Sequence, residues 1–192
     1  MHKFSTYLTI LLLSSLSPAH AVETVWHPVT SGCYENSIYE SLSSWHDAPF
    51  SSSSLRFATV PDTGRGPAVL IALDKGLNHA LAANGEPIVI AAVGDSRRTC
   101  VHRMPMSACE SAQGARQQLA ALQPPLLQDL DAGFVLRLHA TQYRLQWRDG
   151  SAVANAVAYT DPSHPVSAAV SQAIGDMQSC WSPAMAAWQD AR

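Results

Sequence analysis

The chain has 192 residues, of which 47% are hydrophobic and 14% charged, and its formal net charge is −3. A mildly acidic chain lacks the basic patch or stripe typical of nucleic-acid-binding proteins, so this class is excluded. Its four cysteines are an even set, which predicts two disulfides in an oxidising compartment.

Residues 1–21 are predicted to be a cleaved signal peptide. A polar start precedes an apolar run, residues 7–16, and Ala19-His20-Ala21 fits the small-x-small cleavage pattern. This run is too short to cross a bilayer, which needs about 20 residues, and no later stretch is long enough. No cysteine stands at the cleavage point, so no lipid anchor is expected. The periplasmic or secreted chain is predicted to be one domain, residues 22–181, with a tail, residues 182–192.

The first half of the exported chain is predicted to alternate helices and strands. Apolar residues at helical spacing predict a short helix over residues 34–46, and alternation predicts a strand over 55–60. Pro67 at a first helical position, leucines on one face and the stop signal Asn84-Gly85 predict a helix over 67–84. The apolar residues 87–93 predict a strand covered on both faces, and residues 98–104 a second extended segment.

The second half is predicted to end in a hairpin and a helix. Ser107 and Glu110 form a capping-box pattern that predicts a helix to about residue 122. Residues 134–147 and 153–159 predict two strands around the turn signal Asp149-Gly150. An apolar stripe from Val166 to Met177 predicts the last helix. The order predicts an α+β fold, with a mixed or antiparallel sheet and helices mainly on one face.

The cysteines are predicted to staple this fold. Four cysteines allow three pairings. We favour Cys100–Cys109, which closes a short connection, and Cys33–Cys180, which ties the start of the domain to its last helix. Peptide mapping under non-reducing conditions decides among the three.

Gly94-Asp95-Ser96 follows a predicted buried strand and is similar to the serine motif of GDS-type esterases. In that family's pattern, Ser96 is the nucleophile, His164 the general base and Asp161 the residue that orients it. The residues after Ser96 look extended rather than helical, and the family's Gly-x-Asn-Asp signal is absent. Turn chemistry explains the Gly-Asp-Ser sequence, and helix capping explains Asp161. We therefore favour the structural interpretation.

Residues 100–109 alternate potential metal ligands along a predicted extended segment. His102, Met104 and Met106, with Cys100 and Cys109, are soft ligands of the kind that copper(I) prefers. An oxidised Cys100–Cys109 pair would remove both thiolates, and methionines are common core residues. We favour neither a metal nor a cofactor.

Two surface features are also predicted. Arg97, Arg98 and Arg103 form a local basic cluster that we interpret as solvated surface. Met185 and Trp188, in the predicted tail, are expected to form an exposed apolar edge that suits a partner.

The sequence "YRLQWRDGSAVANAVAYTDPSHPVSAAVSQAIGDM", residues 143–177, resembles the end of periplasmic auxiliary domains of envelope transport and assembly. These include the amino-terminal domain of TolB and auxiliary proteins of lipid-transport ABC systems. Residues 55–93 resemble their strand–helix–strand opening. The resemblance implies a non-catalytic role in binding or assembly, through contact with another periplasmic or envelope protein. An immunity or inhibitor protein against an envelope-targeting toxin or hydrolase is one alternative, and a small GDS-type hydrolase is another.

Overall fold

The chain folds into one sheet with helices on both faces. A computed structural model describes residues 31–43, 54–62, 66–74, 86–122, 140–149, 152–159 and 164–192. Within these residues there are seven β-strands and four α-helices. In chain order they are β1 (Gly32–Tyr34), α1 (Ile38–Ser43), β2 (Ser54–Val60), β3 (Ala68–Asp74), β4 (Ile88–Gly94), β5 (Thr99–Pro105), α2 (Ala112–Ala120), β6 (Gln142–Asp149), β7 (Ala152–Tyr159), α3 (Pro165–Asp176) and α4 (Gln178–Asp190).

The strands lie in the order β1-β5-β4-β3-β2-β6-β7, and every neighbouring pair is antiparallel. Strands β2 to β5 form a meander, because each pairs with the next along the chain. The β6–β7 pair, with Asp149 opposite Ala152, adds beside β2 as the predicted hairpin. The predicted α+β class with an antiparallel sheet is confirmed.

Buried residues form a core on each face of the sheet. Phe57 and Ile71 belong to the core between the sheet and helices α2, α3 and α4. Leu70 and Ile90 belong to a second core on the opposite face, to which α1 contributes Ile38. Strand β4 is buried along its whole length, as predicted for a strand covered on both faces. Three of the four helices in the described ranges share one face, so the predicted layering is confirmed.

The predicted helix over residues 67–84 is wrong in its first half, where the chain forms strand β3. Residues 67–84 were expected to form a helix, but Ala68–Asp74 is a strand hydrogen-bonded between β2 and β4. Val69 faces one core and Leu70 the other, so the segment is apolar on both sides. A continuous apolar run has no period that separates a buried strand from a buried helix. Residues 75–85 lie outside the described residues.

The start of α2 also differs from the prediction. The expected capping box at Ser107 does not form, because residues Met106–Ala108 make a short 3-10 turn and the helix begins only at Ala112. The backbone N–H of Ser107 instead donates to a carboxylate oxygen of Glu86, 2.8 Å away. Ser111 precedes the helix without making a side-chain capping bond.

The predicted tail is mostly helical. Helix α3 is confirmed, and α4 continues through Pro183 to Asp190. Pro183 cannot donate to the carbonyl of Ser179, and the hydroxyl of Ser182 donates to that oxygen instead, at 3.4 Å. Trp188 is only 4% exposed and belongs to the core, so the expected exposed apolar edge is wrong. No helix in the described part of the chain is long and apolar enough to cross a membrane.

Two disulfides are present, but the predicted pairings are wrong. Cys33 bonds to Cys100, which lies directly opposite on β5, and Cys109 bonds to Cys180. Cys100 is the second residue of β5, whereas Cys109 follows the 3-10 turn beyond the end of that strand. A strand rises about 3.3 Å per residue, so most of β5 separates the two cysteines, and each has a different cysteine as its neighbour. Proximity in sequence was therefore misleading.

Several other predictions fall partly outside the described residues. The predicted helix over 34–46 corresponds to α1, and the predicted strand over 134–147 corresponds to β6, in their described parts. The predicted signal peptide, residues 1–21, lies wholly outside them.

Candidate functional site

A groove of about 930 Å³ lies at one end of the sheet. One wall is the connection between β4 and β5, which contributes residues 95–98. A second wall comes from Glu35 and Tyr39, at the start of α1. The remaining lining residues are Trp188 and Arg192, at the end of α4, and Gly66, in the segment before β3. The groove therefore joins four parts of the chain that are far apart in sequence.

The β4–β5 connection is a tight turn whose residue types are required by its geometry. A Cβ atom added at Gly94 would meet the backbone oxygen of Arg98, so only glycine allows this approach. The carboxylate Oδ1 of Asp95 accepts from the backbone N–H of Arg97 at 2.8 Å and of Arg98 at 3.1 Å. An aspartate that bonds the backbone two residues ahead is a common device for stabilising turns.

The turn is also fixed from outside. The carbonyl of Asp95 accepts from the backbone N–H of Ile38 at 3.0 Å, which ties the turn to the first turn of α1. The hydroxyl of Thr99 donates to the carbonyl of Asn36 at 2.9 Å. The Cys33–Cys100 disulfide follows one residue later. The turn is thus held on both sides, while Ser96 and Arg97 at its tip are exposed.

Charged side chains of both signs line the groove, three arginines and two carboxylates. Arg97, Arg98 and Arg192 line it together with Glu35 and Asp95, and the charges of Arg192 and Arg97 act on the carboxylate of Asp95. In the described part of the chain, none of these three guanidinium groups makes a hydrogen bond. The guanidinium carbon of Arg192 lies 4.2 Å from the centre of the Trp188 ring, a cation–π contact.

The ionisation states in the groove follow from its contacts. Burial acts to raise the pKa of Asp95, but the hydrogen bonds from two backbone amides and the charges of Arg192 and Arg97 outweigh it and lower that pKa. Burial, together with the negative charge of Asp95, raises the pKa of Tyr39. At neutral pH the groove therefore holds a carboxylate at Asp95 and an uncharged phenol at Tyr39.

Of the candidate catalytic residues that the structure describes, Ser96 lines this groove and His164 does not. Ser96 lies in a turn between two strands, whereas a nucleophile elbow needs a strand followed by a helix. His164 does not line the groove; it caps α3, and its Nδ1 accepts from the backbone N–H of Val166 at 3.2 Å. In a Ser-His-Asp triad Nδ1 donates its proton to the orienting acid, so this bond uses the nitrogen that would have to contact Asp161. Asp161 lies outside the described residues, but the residue that caps α3 is His164, so the predicted helix-capping role of Asp161 is wrong. Its catalytic role stays a prediction.

The candidate copper ligands are placed on β5 and just after it. Cys100 and Cys109 are both in disulfides, so neither offers a thiolate. Met104 and Met106 pack against the core beneath the helices, and His102 is half-buried on β5. Within the described ranges, no group of three or more His, Cys, Asp or Glu side chains could hold a metal ion.

Sequence reasoning missed most of the groove. Arg97 and Arg98 were noticed but interpreted as solvated surface, and Tyr39 and Arg192 carried no signal at all. These residues line one groove because α4 packs over β4 and β5, and no local sequence pattern indicates that packing. The turn at Gly94 was the one local pointer to this place.

No family model matches the chain, and neither a curated protein nor a solved structure matches it.

Proposed function

We propose that this chain is an exported accessory protein of the bacterial periplasm that binds another envelope protein through the groove and catalyses no reaction. Two disulfides suit an oxidising compartment. The features of residues 1–21 suit a cleaved signal peptide. The resemblance of residues 143–177 to periplasmic auxiliary domains points to the same compartment and role, whereas the strand–helix–strand resemblance of residues 55–93 gives no support, because β3 occupies residues expected in the helix.

The rigid presentation of the β4–β5 turn is the observation that carries this proposal. Asp95 fixes the turn with its carboxylate and anchors it to α1 with its carbonyl. Binding is less costly when the contacting groups are already held in place, because less conformational entropy is lost. Ser96 and Arg97 are therefore exposed on a backbone that has little freedom left to lose.

A crosslinking experiment tests the proposal. A photo-crosslinking amino acid replaces Ser96 in the groove, or Ala168, which is exposed on α3, in cells that export the chain. We expect one discrete adduct from position 96 and none from position 168. Loss of the adduct when Arg97→Glu is added would tie it to the groove.

Other outcomes count against the proposal. Equal adducts from positions 96 and 168, or no adduct from either, would contradict binding through the groove. An adduct with a toxin or hydrolase would favour the inhibitor alternative. Hydrolysis of a short-chain ester that is abolished by Ser96→Ala would favour the enzyme alternative.

A further inference from the structure

The groove has the chemistry of a site for carboxylates. Three arginines line it, and in the described ranges none of their guanidinium groups is hydrogen-bonded. A planar guanidinium forms paired, charge-assisted hydrogen bonds with a carboxylate, and these are among the stronger polar contacts in proteins. Asp95 does not compete fully for them, because its Oδ1 is already bonded to two backbone amides.

The size of the groove favours a chain segment over a small anion. About 930 Å³ is near the upper end of ordinary ligand pockets, which hold about 300–1,000 Å³. A phosphate ion, a few times larger than a water molecule of about 30 Å³, would leave most of it empty. A short peptide could span from the turn to the end of α4.

The mixed charge of the groove favours a moderately acidic ligand. Glu35 shares the lining with the arginines and would repel a dense polyanion such as an anionic membrane surface. A peptide can place single carboxylates against Arg97, Arg98 and Arg192 and keep neutral residues near Glu35. Tyr39, uncharged at neutral pH, offers a hydroxyl to the peptide backbone.

We infer that the groove binds a short acidic peptide segment of the partner through the guanidinium groups of Arg97, Arg98 and Arg192. The inference rests on the proposed function, since it names the element that the partner presents. On this inference, Arg97 and Arg98 recognise the partner, whereas the sequence analysis interpreted them as solvated surface.

Capped hexapeptides test the inference directly on the oxidised protein. One alternates glycine and aspartate, and its counterpart alternates glycine and asparagine. Binding is measured by calorimetry and by NMR signals of the arginine Nε–H groups. We expect the aspartate peptide to bind, to shift signals of the groove arginines, and to weaken as salt is added.

Matched variants separate the groove from general charge. Arg97→Gln and Arg98→Gln should each raise the dissociation constant at least about fivefold, as expected for a lost charge-assisted contact. Arg116→Gln, on α2 outside the groove, removes the same charge and should leave the constant unchanged. Thermal unfolding of each variant confirms that it is folded.

Several results would overturn the inference. These are equal binding of the asparagine peptide, equal weakening by Arg116→Gln, or tighter binding of inorganic phosphate or of vesicles rich in phosphatidylglycerol. Absence of binding at about 5 mM aspartate peptide, in the weak-affinity range, would also overturn it. If the crosslink at position 96 persists in that case, the proposed function stands and only the acidic ligand is wrong. If the crosslink is also absent, both fail.

Discussion

Replacing Gln146 by methionine should stabilise the protein. Gln146 lies on β6 opposite Arg56 and is only 1% exposed. Neither Oε1 nor Nε2 of its amide has a hydrogen-bond partner in the described structure. The sheet therefore buries a polar group that water would satisfy in the unfolded chain, and methionine fills a similar volume without that cost.

The magnitude follows from the two unpaired atoms. Burying a polar group without its hydrogen bonds costs about 1–3 kcal/mol. The amide belongs to one side chain, so the two losses overlap, and we expect Gln146→Met to raise the free energy of unfolding by about 2 kcal/mol. For a chain of this size that corresponds to a rise in Tm of about 4–8 °C.

The assay is urea unfolding followed by circular dichroism, with Gln142→Met as the matched control. Gln142 lies on the same strand, and its Oε1 accepts from a guanidinium nitrogen of Arg144 at 3.1 Å. The control loses a real hydrogen bond, so it should be destabilised by about 1 kcal/mol. If Gln146→Met lowers stability as much as Gln142→Met does, the amide of Gln146 has a partner and the reasoning is refuted.

Three further predictions concern the turn and the crosslinks. Gly94→Ala should lower the free energy of unfolding by about 2 kcal/mol, because the added Cβ would meet the backbone of Arg98. In the same urea assay, Gly114→Ala should be neutral or stabilising, because Gly114 lies on α2 with open space around it. Asp95→Ala should cost about 1 kcal/mol at neutral pH. Because the folded pKa of Asp95 is lowered, this stabilisation is full above the ordinary aspartate pKa of about 3.9 and is lost as pH falls through the folded value, so the two proteins should converge in stability at acid pH. Replacing both Cys109 and Cys180 by alanine removes a disulfide between residues 71 apart in sequence. Because the unfolded chain then gains conformational entropy, the free energy of unfolding should fall by about 4 kcal/mol, and Tm should fall with it.

Each of these has a contrary result. Equal losses from Gly94→Ala and Gly114→Ala would refute the close approach at the turn. A stability difference at Asp95 that grows towards acid pH would reverse the assigned pKa shift. An unchanged Tm in the double cysteine variant would mean that the bond between Cys109 and Cys180 is not formed.

Elements whose patterns are local were predictable from the sequence. Strand β2 alternates in hydrophobicity, and helix α3 has an apolar stripe at helical spacing, so each segment shows the period of its own structure. Asp149, the first residue of the predicted turn signal, lies at the end of β6, opposite the start of β7. The segment after β4 was correctly predicted to be a turn, because Gly94 and Asp95 perform their roles within five residues.

Features that depend on partners distant in sequence were not predictable. Strand β3 is apolar on every side because it lies in the middle of the sheet, and its leucines also fit a helix. The disulfides join residues brought together by strand pairing and by the packing of α4. Tyr39 and Arg192 line the same groove, and no sequence pattern near either residue indicates the other.

The disulfide pattern has a consequence for the export that we propose, in which the amino terminus would enter the oxidising compartment first. Cys33 can find Cys100 once the meander of β2 to β5 has emerged. Cys109 must then wait for Cys180, 71 residues later, with its thiol unprotected. The disulfide that fixes α4 over the sheet, and with it the complete groove, therefore cannot form until nearly all of the chain has been exported. Until Cys180 arrives, Cys109 can form a wrong disulfide, which a disulfide isomerase would have to correct.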